Sequence, residues 1–407
     1  MKMLDRYEKV VGKSSIDELK MLAKYLEGKT IQHINSTSTG GGVAEILHRI
    51  TPLMQELGVS AQWDVIKGEN DFFEVTKAMH NALHGKKIVF TKKMWQAYND
   101  TSQQNIKDMN LSGDIMFIHD PQPIALIERK PKMKNSKWIW RCHVDVSRPD
   151  KILWKFLEKY INKYDVSVFS SSHFSHKMKT RQALISPSID PFSDKNRDLS
   201  QSEIDSVLNK YKIDPGKKPI VCQISRYDAL KDPVGVIEAY KLVKKYVDCQ
   251  LLLVGNRASD DPETDRIYKQ VLKAKGNDPD ITALMVEDIP VEINAFQRVS
   301  SVVVQKSLRE GFALTVSEAL WKGKPVVASA VGGIPLQITH KYGGLLCHSI
   351  EGAAFSIKQL LNAPDYAKKL GENGREHIRQ NFLLTRHLKE YMLLFLSLYH
   401  KGDVVSL

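Results

Sequence analysis

Residues 301–325 read SVVVQKSLREGFALTVSEALWKGKP, and the fold class of the chain follows from them. Val302 to Gln305 is a short β-branched apolar run, Glu310-Gly311-Phe312 is turn-forming, and Leu314 to Trp321 carries apolar residues at helical spacing. The segment is predicted as strand, loop and helix, one βα unit of an open α/β sheet. In such sheets ligands bind at the carboxyl ends of the strands, beside the helix N-termini. Glu310 falls in that loop, and Glu318 lies near two helical turns into the same element, so both carboxylates can face one ligand from different depths. The amides of Gly311 to Leu314 add donors, and the helix dipole favours an anion there. A second reading stays open: Thr315 with Glu318 fits a capping box, which would make Glu318 a helix-start device and leave Glu310 a solvated loop carboxylate.

The same rhythm runs outward in both directions. Ile220 to Ile224 leads into SRYDALKDP, with a helix from Val234, so Arg226 and Lys231 share one βα loop. A guanidinium fork and an ammonium placed there can converge on a diphosphate, surface cations being the alternative. Leu251 to Val254 ends in Gly255-Asn256, and Ile281 to Val286, Val326 to Ser329 and Leu345 to His348 complete this half. In the first half a helix over Ser15 to Glu27 precedes a strand at Thr30 to Asn35, which runs into STSTGGGVAE. Gly40, Gly41 and Gly42 therefore stand between a strand and a helix beginning near Val43, where successive amides can approach an anion. The spacing is neither the dinucleotide fingerprint nor a Walker loop. A second glycine-rich turn at Val331 to Pro335 would offer the other half's backbone donors.

Ile115 to Ile118 ends in His119-Asp120-Pro121-Gln122-Pro123, and Trp138 to Cys142 ends in His143-Val144-Asp145. One His/Asp pair at a strand end is commonly structural; two at equivalent places point to a site. Asp165 to Ser170 is a further strand, and Ala183 to Pro191 precedes an interdomain linker. The tail from Pro364 to Tyr399 is helical, and its apolar Phe382, Leu388, Met392, Phe395 and Leu396 need a partner surface, expected to be the N-terminal half. The expected architecture is α/β: two facing doubly wound Rossmann-like domains with the cleft between them, residues 1–191 completed by helix 379–407, and residues 192–378.

At 407 residues the chain is too long for one core. Its net charge of +12 admits nucleic acid, an anionic membrane or an anionic small ligand. Lys and Arg are spread along the chain, however, and no basic motif is interleaved with stacking aromatics, so a small anion is favoured and nucleic acid ranked last. Cys142, Cys222, Cys249 and Cys347 stand alone, without zinc spacing. No apolar run reaches membrane-spanning length and the N-terminus lacks a signal-peptide core, so no membrane partner and a cytoplasmic location are expected. Asp278-Pro279-Asp280 matches D-x-D but sits in a turn, and no protein-bound metal is expected.

The pattern E-G-F-x-L-x-x-x-E-A from Glu310, followed by GKPVVA and Gly332-Gly333-Ile334-Pro335, resembles the retaining nucleotide-sugar glycosyltransferases of the family 4 group, which have the GT-B fold. More narrowly, STSTGGGVAE, IHDPQP, WRCHVDVS, SPSIDP and SRYDALKDP are similar to the glycosyltransferring trehalose synthases and the related trehalose phosphorylases. The resemblance implies catalytic roles for Arg226, Lys231, Glu310 and His143, the last touching the donor sugar's 6-hydroxyl. It implies donor binding by Gly41, Gly42, Asn256, Phe312, Ala313, Leu314 and Glu318, with Glu318 on the ribose, and acceptor binding by Asp120, Gln122 and Asp145. Ala313 departs from the family's glycine, so a φ > 0 requirement there would carry a steric cost. The implied reaction forms trehalose, reversibly, from a nucleoside-diphosphate glucose and glucose. A phosphorylase using glucose 1-phosphate and a non-catalytic nucleotide-sugar-binding protein are the alternatives. No cofactor is implied beyond magnesium accompanying the nucleotide sugar, and a homodimer stays open.

Overall fold

The computed structural model describes residues 2–39, 41–256, 262–287 and 289–400. The chain forms two compact units: Met1–Ser188 with Leu384–Leu407, here unit 1, and Ile189–Leu383, unit 2. Each is built on a six-stranded, all-parallel sheet.

Unit 1 contains β1 (Thr30–Asn35), β2 (Ser60–Val65), β3 (Ile115–His119), β4 (Lys137–Arg141), β5 (Val166–Phe169) and β6 (Arg181–Leu184), in the order 2-1-3-4-5-6. All five residues of β3 and all four of β5 are buried, as expected for parallel strands covered on both faces. Trp138, Trp140, Phe72, Tyr98, Leu153 and Leu157 lie in one core cluster between sheet and helices. The order of strands reverses between β1 and β3, and that is the switch point of the unit.

The helix Leu384–Ser397 belongs to unit 1. It buries Leu388, Tyr391, Met392, Leu394 and Phe395, and Arg386 Nη2 donates to the carbonyls of Ser186 and Pro187 at 3.0 Å each. The expected single element 379–407 is broken. Residues 379–381 end the helix Pro364–Asn381 of unit 2, the chain pauses at Phe382 and Leu383 where Ile189 N–H donates to Phe382 O at 2.9 Å, and residues 401–407 lie outside the described residues.

Unit 2 contains β7 (Ile220–Ile224), β8 (Gln250–Asn256), β9 (Ile281–Val286), β10 (Val302–Gln305), β11 (Val326–Ser329) and β12 (Leu345–Cys347). Their order, 9-8-7-10-11-12, is 3-2-1-4-5-6 when counted within the unit, the Rossmann order, with its switch point between β7 and β10. Val302 to Gln305 is wholly buried at the middle of that sheet. All four cysteines are free and buried. Among the described residues no helix is long and apolar enough to cross a membrane.

Candidate active site

The loops after β7 and β10 meet at the switch point of unit 2. Lys231 Nζ contacts both carboxylate oxygens of Glu310, at 2.7 and 2.6 Å, and Ser307 Oγ donates to Oε2 at 3.0 Å. Their side chains are 18% and 8% exposed, so the pair is shielded enough for breaking it to matter. Leu308 N–H donates to Leu230 O at 2.8 Å, and Gln223 Nε2 donates to Lys231 O at 2.8 Å, which joins the two loops to each other and to β7. Lys306, directly after β10, is ion-paired with Asp232. Arg226 is half-exposed, with Nη2 3.5 Å from Asp228. Asn256 is the last residue of β8, in register with Val286.

The turn after Glu310 is held from behind. Gly332 has φ 55°, and a Cβ there would fall 1.7 Å from Glu310 O; one on Gly333 would fall 2.7 Å from the Phe312 ring and 2.9 Å from Gly311 O. The glycines of Val331 to Pro335 thus serve to pack against residues 310–312, which corrects the expectation that this turn offers backbone donors to a ligand. Gln337 Nε2 donates to Phe312 O, and Ser317 Oγ holds the Gln337 oxygen at 2.6 Å. The Phe312 ring packs against Phe382, at 5.5 Å between centroids, so this residue has only its backbone to offer a ligand.

The helix starts at Leu314, with Ala313 at its N-cap and no side-chain cap. Thr315 is already inside it, with Oγ1 on Gln305 Oε1 at 3.3 Å, so the capping-box alternative for Glu318 fails. Glu318 is 3% exposed. One turn below, Lys322 Nζ donates to Glu318 O at 3.1 Å and to Asn196 Oδ1 at 3.0 Å. Burial pushes the Lys322 ammonium down to about 7, against the pull of the Glu318 charge. Ala313 has φ 68° and ψ 72°, so the position where the family carries glycine is left-handed and the methyl sits there under strain.

In unit 1 the residues after β3 and β4 are interlocked. Asp120, at φ 65°, donates its N–H to Arg141 O at 2.7 Å, accepts from His143 N–H at 2.8 Å through Oδ1, and accepts from Trp140 Nε1 at 2.9 Å through its carbonyl. Burial raises the Asp120 carboxyl to about 6, opposed by the His143 amide and the Arg141 charge. Three imidazoles form a string: His33 Nδ1 is 3.1 Å from His119 Nε2, and His119 Nδ1 is 3.0 Å from His143 Nε2. Arg141 Nε closes it at 3.4 Å from His143 Nδ1. A guanidinium only donates, so each imidazole carries its proton on Nε2 and the string runs one way, from Arg141 to His33.

Both ring nitrogens of His143 are therefore engaged inside unit 1, and contact with a sugar hydroxyl requires one of them to be exchanged. Gln122 is half-buried and lines a small pocket with Phe72, Ser102, Asn105 and Leu126, its amide oxygen buried with no hydrogen-bond partner in the protein. Asp145 accepts from Ser147 N–H and Oγ at 2.9 and 2.6 Å, the geometry of a turn-forming aspartate. The helix after β1 begins at Gly41, two residues before the expected Val43, so Gly41 and Gly42 are its first two residues. Asp280 of the D-x-D triplet is held by Lys218 at 2.8 Å and by Lys244, as a structural turn. Among the described residues no group of three potential ligands gathers to hold a metal.

Sequence reasoning passed over Lys306, Asp232, His33 and Arg141 as functional candidates. For Lys306, His33 and Arg141 the signal is a polar residue inside or directly after an apolar strand run, as in VVVQK and KWIWR; Asp232 instead stands before Pro233 as a helix N-cap.

Residues 33–176 match the family described as "Trehalose synthase, N-terminal domain", and residues 208–377 match "Glycosyl transferases group 1". The trehalose synthase of Thermococcus litoralis is 43% identical over 398 residues, covering 96% of each chain. The chain belongs to the trehalose synthase family. It is a glycosyltransferase. The trehalose phosphorylase of Grifola frondosa is more distant, 30% identical over 453 residues that cover 98% of this chain and 61% of that one. The α,α-trehalose 6-phosphate synthase of Burkholderia multivorans shares the fold, with a TM-score of 0.73 at 15% identity, covering 92% of this chain and all of the other.

Proposed function

We propose that this trehalose synthase family member transfers a glucosyl group from a nucleoside-diphosphate glucose to glucose, with retention and reversibly, to give trehalose. The observation that carries this reading is the Lys231–Glu310 pair at the switch point of unit 2. A cation and a carboxylate that neutralise each other here are the two groups a nucleotide sugar needs separately. Lys231 turns to the diphosphate with Arg226, and Glu310 turns to the sugar hydroxyls. Backbone amides at the start of the helix Leu314–Trp321 and at Gly41 and Gly42 add to the charge compensation, which dominates catalysis in chemistry of this kind. Glu318 takes the ribose hydroxyls, beside Lys322. Asp120 and His143 serve the sugars from unit 1.

In the chemical step the acceptor hydroxyl oxygen bonds to the anomeric carbon on the face from which the diphosphate leaves. The carbon–oxygen bond to phosphate breaks with its electron pair going to the diphosphate, and the hydroxyl proton passes to the departing phosphate oxygen. No resident metal or cofactor enters the reading. A second reading, phosphorolysis with glucose 1-phosphate, is supported by the likeness to the Grifola frondosa enzyme.

The test is a product assay with ADP-, UDP- and GDP-glucose and glucose 1-phosphate, each with glucose and EDTA. Trehalose and free nucleoside diphosphate from a nucleotide donor is the expected result. Trehalose from glucose 1-phosphate alone would move the assignment to the phosphorylase, and strict dependence on added magnesium would overturn the metal-free part.

A further inference from the structure

We propose that Asp232 and Lys306 are positioning residues, a second and permanent ion pair that keeps the loops after β7 and β10 in register while Lys231 and Glu310 separate around the donor. The two pairs are reciprocal. Lys231 reaches from the β7 loop to Glu310 beyond β10, and Lys306, at the end of β10, reaches back to Asp232 in the β7 loop. The first pair is the one a charged ligand can open. The second is built to stay closed.

Three observations support that division. Asp232 adopts a left-handed backbone, φ 49° and ψ 52°, directly after Lys231, so its conformation sets the angle at which the Lys231 turn joins the helix Pro233–Lys244. Its carboxylate is sunk onto the start of the helix Pro233–Lys244, with Oδ1 accepting from Gly235 N–H at 3.1 Å and Oδ2 facing Lys306. A Cβ on residue 235 would lie 2.3 Å from that Oδ2, so the glycine makes room for the carboxylate. One oxygen serves the helix and the other serves the lysine, so the carboxylate is held from two sides. The two pairs are about equally shielded, Lys306 at 8% with Asp232 at 20% exposed and Lys231 at 18% with Glu310 at 8%, so what separates them is that the Asp232 carboxylate is also bound to its own helix start. Finally, besides the two pairs the loops are tied by the bond from Leu308 N–H to Leu230 O. When a donor draws Lys231 off Glu310, the Asp232–Lys306 pair remains, with that bond, to hold the loops together.

The assay for this pair rests on the proposed function, and the experiment separates the two. Lys306→Met, Asp232→Asn and the double variant would be compared with the parent for trehalose formation from ADP-glucose and glucose, for ADP affinity by calorimetry, and for thermal melting. Asparagine at 232 keeps the helix cap and the left-handed backbone and removes only the charge. Each single variant is expected to lower kcat by about 100-fold, the scale of a 1 Å misplacement of a catalytic group, with KM for glucose unchanged and melting held within a few degrees. The double variant is expected to be no worse than either single one, because the pair acts as a unit. Losses that multiply in the double variant, or a Lys306→Met enzyme with parental kcat, would overturn the proposal. If the parent makes no trehalose from any donor, the functional reading fails on its own. The pair is then judged on ADP affinity alone, where multiplying losses again overturn it and non-multiplying losses support it.

Discussion

At the switch point of unit 2, between β7 and β10, two carboxylates face two ammonium groups; at that of unit 1, between β1 and β3, neutral imidazoles are threaded together and anchored on one guanidinium. Both clusters involve the strands that flank the switch point of their sheet, the unit 1 string running on to β4, yet the chemistry differs in kind. In the proposed function Lys231 exchanges Glu310 for the diphosphate and Glu310 exchanges its ammonium for sugar hydroxyls, while Asp232–Lys306 stays closed. A buried chain of neutral rings cannot accept charge without losing solvation that nothing returns. Unit 2 is thus furnished to exchange partners and unit 1 to hold a shape.

The largest expected effect tests the exchange. Glu310→Gln keeps the shape and removes the charge, and Lys231→Met removes the other member of the pair; each should reduce trehalose formation by about 100- to 1000-fold, the scale for losing one group that stabilises developing charge. His119→Phe breaks the string of unit 1 and leaves a buried acceptor on His33 and a donor on His143 unsatisfied, at about 1–3 kcal/mol for each group. It should therefore appear first in denaturant unfolding and less in rate. Equal rate losses for Glu310→Gln and His119→Phe, in proteins of parental stability, would break the comparison.

Acid sharpens it. Burial lowers His33 to about 3 and drives His119, His143 and His387 in the same direction. The unfolded chain protonates these rings near 6.5, so below that pH the unfolded state binds more protons than the folded one. The stability they contribute is complete above about pH 6.5 and is lost as pH falls. Asp120 runs the other way: raised from 3.8 to about 6, it favours the folded state at low pH and loses that contribution as pH rises through this window. The lowered rings outnumber the raised carboxyl, so on balance unit 1 loses stability as pH falls below about 6.5. Hydrogen exchange should show β1, β3 and β4 losing protection on acidification before β7 and β10 do. Simultaneous loss in both sheets would remove the distinction.

What could be read in the sequence divides along the same line. In unit 2 each strand is a continuous apolar run ending in a turn, so β7 to β12 and the positions of the loops at 226–231 and 310–314 were legible. In unit 1, β2 (SAQWDV) and β6 (RQAL) are polar edge strands, and the helix Lys92–Asp108 buries only Tyr98, Ser102 and Asn105, so none of these stood out; the helices Met3–Val11 and Asn70–Leu83 were missed despite regular apolar faces. The pairing of Lys231 with Glu310 joins residues far apart in sequence and needed the strand order. Gln122 follows a strand end, where exposure is expected, yet its amide oxygen is buried, which the local sequence did not show. His33 was invisible as a candidate because it sits mid-strand, where a histidine has no local reason to meet two others.

The smallest effect concerns residue 313. An alanine at φ 68° carries about 1–2 kcal/mol of strain relative to the right-handed region, stored in the loop where Glu310 must change partners. Ala313→Gly removes that strain and returns about 0.4–1 kcal/mol of it as extra freedom in the unfolded chain, so unit 2 should gain about 0.5–1 kcal/mol, read from its denaturation midpoint. Asp120, at φ 65° in unit 1, offers the contrast, since its carboxylate is bonded to the His143 amide and glycine there would lose the bond with the strain. Ala313 has no side-chain bond to lose. If Ala313→Gly stabilises unit 2 and leaves the rate within about two-fold, the strain is an incidental departure from the family's glycine. If it stabilises and slows transfer, the strained turn is part of what lets the Lys231–Glu310 pair open.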